Sequence, residues 1–383
     1  MKKITILIPA LIFLCSFGIS QTTYSWRSEA SNGNWNVDEN WWSGSTGVPT
    51  GGEIINFDNN TYTSMTNNLS AANRHQILFS SSATVARTIT GVTENTFYDF
   101  GGTKPKVENN SAASHILSFP IKIGYNPMEI NPVSGDLSMI GNIDNNGNYI
   151  DIYGNNSNTL SIIGVISGTG GLSLKQNSTV ELVSSNTYSG ATTIEAGTLV
   201  IAGNLASSAI TVQNGGTLTI EGSDVTVSSL TVESGGIVNI SPNMGLTVSG
   251  NLANSGTVTI NSDATGTGSL IVEGTPTGNS TIERYIVAWS DATHGWHFIS
   301  SPVASQAIQP EFVPTTPTTS EDFYKWDESA LSTPWINSES SSGVWNSSFE
   351  SDFVEGGGYL AAYSTNQTKT FSGVLNTTDV GKA

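Results

Sequence analysis

A pentapeptide that begins with glycine recurs at almost constant spacing and constrains the fold more than any other feature. Its four copies occupy residues 197–201, 216–220, 236–240 and 256–260, and their glycines are 19, 20 and 20 residues apart. In each copy, apolar residues alternate with mostly polar residues such as Thr and Asn. This is the two-residue period of a strand with one buried face. The sequence therefore predicts one short strand repeated about every 20 residues.

A second, more loosely spaced series of apolar triplets lies between these copies, opening at Ile210, Leu230, Leu246 and Leu270. Two strands per turn, joined by Gly, Asn and Ser corners, predict a β-solenoid whose turns stack about 4.8 Å apart. Glycine is expected where a corner needs positive φ or close approach. A β-sandwich of regular hairpins is the alternative, because it also has short, evenly spaced strands.

Tryptophan placement divides the chain into regions. Four tryptophans lie between positions 26 and 42, five lie between positions 289 and 345, and none falls between these groups. We expect an N-terminal cap with irregular coils over residues 21–165, solenoid repeats over 166–283, and a β-sandwich-like domain, truncated at its end, over 284–383. The predicted fold class is therefore all-β.

Residues 1–20 have the pattern of a signal peptide. Lys2 and Lys3 precede an apolar run over residues 4–17, and Gly18 and Ser20 stand at the small-residue positions of a cleavage site. The run is shorter than a bilayer span, which predicts a secreted or outer-surface protein with no integral membrane span. Cys15 is the only cysteine and would leave with this segment, so the mature chain would have no disulfide.

Charge excludes some classes of partner. Removing Lys2 and Lys3 from the 13 basic residues leaves 11 against 31 acidic ones, a net charge near −20. Such a surface repels nucleic acid and anionic lipid. An extracellular polysaccharide or another surface ligand remains a possible partner.

Four short motifs follow one another closely along the chain: GTGGL at 168–172, NTYSG at 186–190, TTI at 192–194 and AGTL at 196–199. Together they resemble the autotransporter-associated β-strand repeat. The resemblance implies a right-handed parallel β-helix in an exported surface protein, with no catalytic residue in the repeat.

Both flanks carry further resemblances. The segments 24–26, 33–35, 40–41, 48–49 and 55–58 look like the aromatic cap that often precedes such repeats. Residues 295–302, 324–327, 356–360 and 371–376 are similar to a β-domain of large secreted Bacteroidetes proteins. Those proteins usually end in a sorting domain for type IX secretion. The sequence stops at residues 381–383 without such a domain, so we expect it to be a fragment of a longer protein.

Catalytic chemistry finds little support in the repeats. A polysaccharide lyase needs a basic residue and a group that neutralises the substrate carboxylate, but residues 176–283 contain no Lys, Arg or His. Glu221 and Asp224 are the closest candidate pair for a hydrolase, and their corner position favours solvated acids instead. We expect the chain not to be an enzyme.

Two groups of residues suggest metal ligands. His294 and His297 flank Trp296, but a spacing of three on a strand places them on opposite faces, which favours local packing. Asp144, Asn146, Asn148 and Asp151 suggest a calcium loop, although Gly147 stands fourth where an EF-hand has glycine sixth. An Asn-Gly turn between strands is the alternative, and no cofactor other than this possible calcium is expected.

Glycan stacking is the remaining candidate chemistry. The aromatic residues Trp296, Trp326, Trp335, Trp345 and Tyr359, together with Tyr324, could stack on sugar rings, or could serve as core material. We expect a structural or adhesin-like protein with a solenoid stalk. The alternative is a non-catalytic, glycan-binding portion of a larger polysaccharide-degrading enzyme.

Overall fold

The computed structural model describes residues 21–377, apart from positions 29, 31, 44–46, 51, 70–71, 156, 206–207, 292–293, 317 and 331. The predicted signal peptide, with Cys15, and residues 378–383 lie outside the described residues. Among the described residues the only helix is the 3-10 turn Asp38–Asn40, and no helix there could span a bilayer. The rest of the regular structure is β.

The strands upstream of the clear repeat are β1 (Thr23–Trp26), β2 (Trp41–Trp42), β3 (Glu53–Phe57), β4 (Ser64–Thr66), β5 (Ala72–Phe79), β6 (Arg87–Thr90), β7 (Asn95–Tyr98), β8 (Lys106–Asn109), β9 (His115–Ser118), β10 (Ile121–Tyr125), β11 (Met128–Pro132), β12 (Leu137–Met139), β13 (Ile143–Asp144) and β14 (Ile150–Ile152). The repeat region contains β15 (Thr159–Ile162), β16 (Ile166–Ser167), β17 (Leu172–Leu174), β18 (Thr179–Leu182), β19 (Thr192–Ile194), β20 (Gly197–Ile201), β21 (Ala209–Val212), β22 (Gly216–Ile220), β23 (Val225–Val227), β24 (Ser229–Val232), β25 (Ile237–Ile240), β26 (Gly245–Val248), β27 (Leu252–Asn254), β28 (Thr257–Ile260), β29 (Ser262–Asp263), β30 (Gly266–Thr267), β31 (Ser269–Val272) and β32 (Pro276–Thr277). The final strands are β33 (Asn279–Ile286), β34 (His297–Ile299), β35 (Glu321–Trp326), β36 (Trp335–Asn337), β37 (Tyr359–Tyr363) and β38 (Gln367–Val374).

The pentapeptides lie directly above one another, which confirms the β-solenoid. Leu199 of β20 pairs in parallel register with Leu218 of β22, which pairs with Val238 of β25, and Val238 pairs with Val258 of β28. All four side chains are buried in one continuous core. Parallel pairing of successive copies rules out the antiparallel sandwich for this region.

Glycines of the repeat stand where backbones approach closely, as expected. A Cβ on Gly216 would lie 2.4 Å from the carbonyl oxygen of Ile194 in the previous turn. Gly197 also adopts a φ of +85°, which an L side chain rarely does.

The prediction that the second series of apolar triplets stacks on a single face of the solenoid is wrong. Ile210 pairs with Leu230, but Leu230 then pairs with Leu252, whereas Leu246 pairs with Leu270 in a separate sheet. From β22 onward each turn gains a strand, because β23, β26 and β31 form a third face. The looser spacing of the series reflects this mixture of two faces.

The face that contains the pentapeptides extends far upstream of residue 168. Its strands run from β4 through β6, β9, β12, β15 and β18 to the repeats and end at β33, which gives about ten turns. Turns are longer near the start, since Thr88 lies beside Ile116 in the next turn, a wider separation in sequence than that between Leu199 and Leu218. Insertions at the corners explain why the repeat fades in the sequence while the stacking persists.

Aromatic side chains continue the core at the N-terminal end of the column. The rings of Trp26 and Trp35 lie 4.9 and 5.6 Å from that of Trp41, and all three contact Phe57. The Trp41 indole N–H donates to the Trp35 carbonyl at 2.8 Å. This cluster occupies the segment for which the sequence predicts a cap.

The last solenoid strand leads directly into the C-terminal region. β33 pairs in parallel with β28 and in antiparallel with β38 along its whole length. The predicted boundary between residues 283 and 284 falls within this strand. Beyond it, β34, β37, β35 and β36 form a four-stranded antiparallel sheet over a second apolar core. A sandwich-like domain stays a prediction.

Candidate functional site

The two sides of the four-stranded sheet differ sharply. Strand residues alternate between the sides, and Ile299, Phe323, Tyr359 and Ala361 point into the second core, where each is buried. The opposite side carries Trp296, Phe298, Tyr324, Trp326 and Trp335. We call this second set the aromatic face.

Register brings the aromatic face together. Phe298 and Tyr324 each pair with Leu360, and Trp326 pairs directly with Trp335. The Trp296 ring lies 5.7 Å from that of Tyr324. Strands β34, β35 and β36 therefore present aromatic side chains on one surface, with Leu360 of β37 between β34 and β35.

A groove of about 520 Å³ opens at one end of this face. We call it the aromatic groove, and its lining includes Phe298, Lys325, Trp326, Trp335, Glu350 and Gly358. The Trp326 and Trp335 rings lie 5.0 Å apart at 74°, and the Phe298 ring lies 6.4 Å from Trp335. Two nearly perpendicular indoles thus form a corner within the groove.

The sequence-predicted glycan residues separate into two groups. Trp296, Trp326 and Trp335 lie on the aromatic face, and the last two are 51% and 39% exposed. Trp345 packs on Phe349 at 5.4 Å, on the core side.

Tyr359 also differs from the expectation. It borders the groove but is only 2% exposed, and its hydroxyl accepts a hydrogen bond from the Val354 N–H. Neither its ring nor that of Trp345 is placed to stack on a ligand at the aromatic face. Sequence reasoning missed Phe298, which is 75% exposed. Strand alternation from Trp296 was the signal that could have found it.

Carboxylates outnumber cations around the groove. Lys325 and the carboxylates of Glu328 and Glu350 line it. Lys325 Nζ lies 3.1 Å from Glu350 and donates to the Ser348 carbonyl at 2.7 Å. Its charge is therefore already compensated. On the adjoining part of the face, burial and then the charges of Glu339 and Glu321 raise the pKa of Asp322.

The two histidines have separate partners. His294 Nδ1 lies 2.8 Å from Asp291, whereas His297 Nε2 lies 3.2 Å from the Val287 carbonyl. In the part of the chain that the structure describes, no cluster of three or more His, Cys, Asp or Glu side chains could hold a metal. The two imidazoles therefore hydrogen-bond to different groups.

The proposed calcium loop forms the turn between β13 and β14. Asn146 and Gly147 adopt φ angles of +48° and +82°, as an Asn-Gly turn requires. Asp144 lies 3.2 Å from Lys122, and Asp151 lies 3.1 Å from Lys104. Both carboxylates are thus engaged by lysines of earlier turns, Lys122 one turn away and Lys104 two turns away.

Glu221 and Asp224 stand on an exposed corner, as the sequence suggests. Asp224 Oδ1 accepts the backbone N–H of Gly245 in the next turn at 2.8 Å. This contact ties two corners together and gives Asp224 a structural task.

Sequence reasoning also missed a set of buried bases in the first turns. Burial lowers the pKa of Arg74 to about 10, although Glu53 lies 3.8 Å away. The His115 ring stacks on that of Phe79 at a centroid distance of 3.9 Å, and its Nδ1 accepts a hydrogen bond from the backbone N–H of Arg87 at 3.2 Å. Burial, and then the charge of Arg87, lower the pKa of His115 to about 3. These groups lie inside the column, away from the aromatic face.

Comparison with known proteins identifies a family for this chain. A family model described as a domain of unknown function, DUF8693, matches residues 166–382. This span covers the later solenoid turns, the four-stranded sheet and the aromatic groove. No curated protein and no solved structure matches the chain significantly.

Proposed function

The chain belongs to the DUF8693 family, and we propose that it is an exported, non-catalytic structural or adhesin-like protein. In this proposal the β-solenoid is a stalk that holds the terminal β-region away from its point of attachment. Secretion and an outer-surface location are supported by the signal-peptide pattern of residues 1–20.

One observation carries the proposal. The pentapeptide face keeps unbroken parallel pairing from Ser64 to Ile282, and its last strand continues into the antiparallel pair with β38. Ten steps of about 4.8 Å make a column of about 48 Å. Because each turn is hydrogen-bonded to both neighbours, such a column resists bending and suits a spacer.

The experiment immobilises the purified chain, residues 21–383, on arrays of glycans and extracellular-matrix proteins. We expect retention of at least one surface ligand without chemical change to it. Release of shortened or unsaturated sugars from any polysaccharide by the same sample would contradict the proposal.

The second candidate is a non-catalytic, glycan-binding portion of a larger polysaccharide-degrading enzyme. The exposed aromatic groove favours it, because clustered exposed aromatic residues mark an interaction site and can stack on sugar rings. Reading the gene beyond residue 383 distinguishes the two. A hydrolase or lyase module there supports the second candidate, and a sorting tail alone supports the first.

A further inference from the structure

We propose that the aromatic groove binds a neutral polysaccharide chain, by stacking sugar rings on Trp326 and Trp335. The inference rests on the proposed function, since it names the ligand class that the stalk would present. It goes further by assigning the site, its discriminating charge and the residue that leaves room for the sugar.

Exposure is the first step of the argument. The second core is already filled by Phe312, Phe323, Phe353 and Phe371, whose rings contact one another at 4.6 to 6.5 Å. Trp326, Trp335 and Phe298 lie outside this core and keep 51%, 39% and 75% of their surface exposed. Clustered exposed aromatic residues mark interaction sites, because leaving them in water forfeits the free energy of burial.

Shape is the second step. With Trp326 and Trp335 at 74°, one indole can lie flat under a pyranose ring while the other meets its edge. Gly358 lines the same groove as the aromatic residues, and a Cβ built there would meet no atom within 4 Å. Its φ is outside the left-handed region. The glycine therefore meets no backbone requirement of that kind, and its missing side chain leaves the groove open.

Charge is the third step and selects the ligand class. The groove contains Glu328 and Glu350 against one lysine, whose ammonium is paired with Glu350. Carboxylates accept hydrogen bonds from sugar hydroxyls, but they repel uronates and sulfated sugars. The chain's net charge of −18 adds to that repulsion. Neutral polyhydroxyl chains fit this combination of apolar floor and acceptor rim.

The experiment measures binding of the full chain by affinity electrophoresis in gels containing laminarin, xylan or galactomannan. Alginate and polygalacturonate serve as acidic probes. Variants are the double substitution Trp326→Ala with Trp335→Ala, and Gly358→Leu. The matched control is Trp42→Ala, because Trp42 is 65% exposed at the other end of the molecule.

We expect at least one neutral glycan to retard the chain and neither acidic glycan to do so. The double variant should weaken binding about tenfold or more, in line with stacking on other aromatic platforms. Gly358→Leu should have a similar effect with unchanged thermal stability, while Trp42→Ala should bind like the parent. Raising the NaCl concentration tenfold should change the affinity by less than about twofold, because a neutral glycan carries no charge whose attraction to the protein salt could screen.

Three outcomes overturn the inference: no retardation by any neutral glycan, preference for an acidic one, or full binding by the folded double variant. If array binding to a matrix protein persists in that case, the stalk proposal stands without the glycan site. Depolymerisation of a bound glycan would instead sink the proposed function and leave the groove as a substrate site.

Discussion

Replacing Leu218 with alanine should test the stacked column where it is most regular. Leu218 is fully buried between Leu199 and Val238 of the adjacent turns. Leu→Ala removes three carbon atoms, which at about 0.8 kcal/mol each lose about 2.4 kcal/mol of burial. A cavity term adds to this, because the turns above and below are held by backbone hydrogen bonds and cannot collapse onto the space. We expect a loss of about 3 to 4 kcal/mol.

The assay is urea unfolding followed by far-ultraviolet circular dichroism, combined with amide hydrogen exchange. Thr219→Ala is the matched control, since Thr219 is the outward neighbour on the same strand and should cost under about 1 kcal/mol. Exchange should accelerate in the turns next to β22 before it does so near β12, because each turn contacts only its neighbours. Equal destabilisation by the two variants, within about 0.5 kcal/mol, would refute the inward placement of Leu218.

Gly216→Ala should destabilise the fold by about 2 kcal/mol or more, because its Cβ would collide with a backbone oxygen, while Gly358→Ala should be nearly neutral; thermal melts compare them. Burial lowers the pKa of His115 to about 3 in the folded chain. In the unfolded chain His115 is protonated below about pH 6.5, whereas in the folded chain it is protonated only near pH 3. The stability that neutral His115 contributes is therefore fully present above pH 6.5, and it falls by about 1.4 kcal/mol per pH unit on acidification below that pH. His115→Phe should flatten this part of the plot of stability against pH, measured by thermal melts from pH 3.5 to 7. Asp224→Ala should cost about 0.5 to 1 kcal/mol and Asp224→Asn less, because the amide oxygen can still accept the corner N–H; urea midpoints that rank the two the other way would contradict this structural role.

The stacking of the turns was predictable because it follows from the alternation of apolar and polar residues along each strand. Once Leu199 and Leu218 are recognised as inward residues of the same strand, the short and nearly constant period leaves parallel stacking as the simplest way to bury both. Upstream of residue 168 the same face continues, yet longer turns, such as the one from Thr88 to Ile116, hide it. Corner insertions change the sequence period without changing the register of the strands.

The candidate site was predictable only in part. Aromatic content near the C-terminus pointed to Trp296, Trp326 and Trp335, which do share one face. It could not separate them from Trp345 and Tyr359, because an aromatic side chain looks alike in sequence whether it fills a core or a groove. That distinction depends on which strands pair and on which side of the sheet the core forms.

The amino-acid order alone determined that this chain is a β-protein with one apolar side per strand, returning at a nearly constant interval. These properties are local, since each follows from the two-residue alternation of a strand and from glycines at its ends. Tertiary structure decided the third face of the later turns and the exposure of Trp326, Trp335 and Phe298. Both depend on contacts between strands far apart in sequence, and no single segment specifies them.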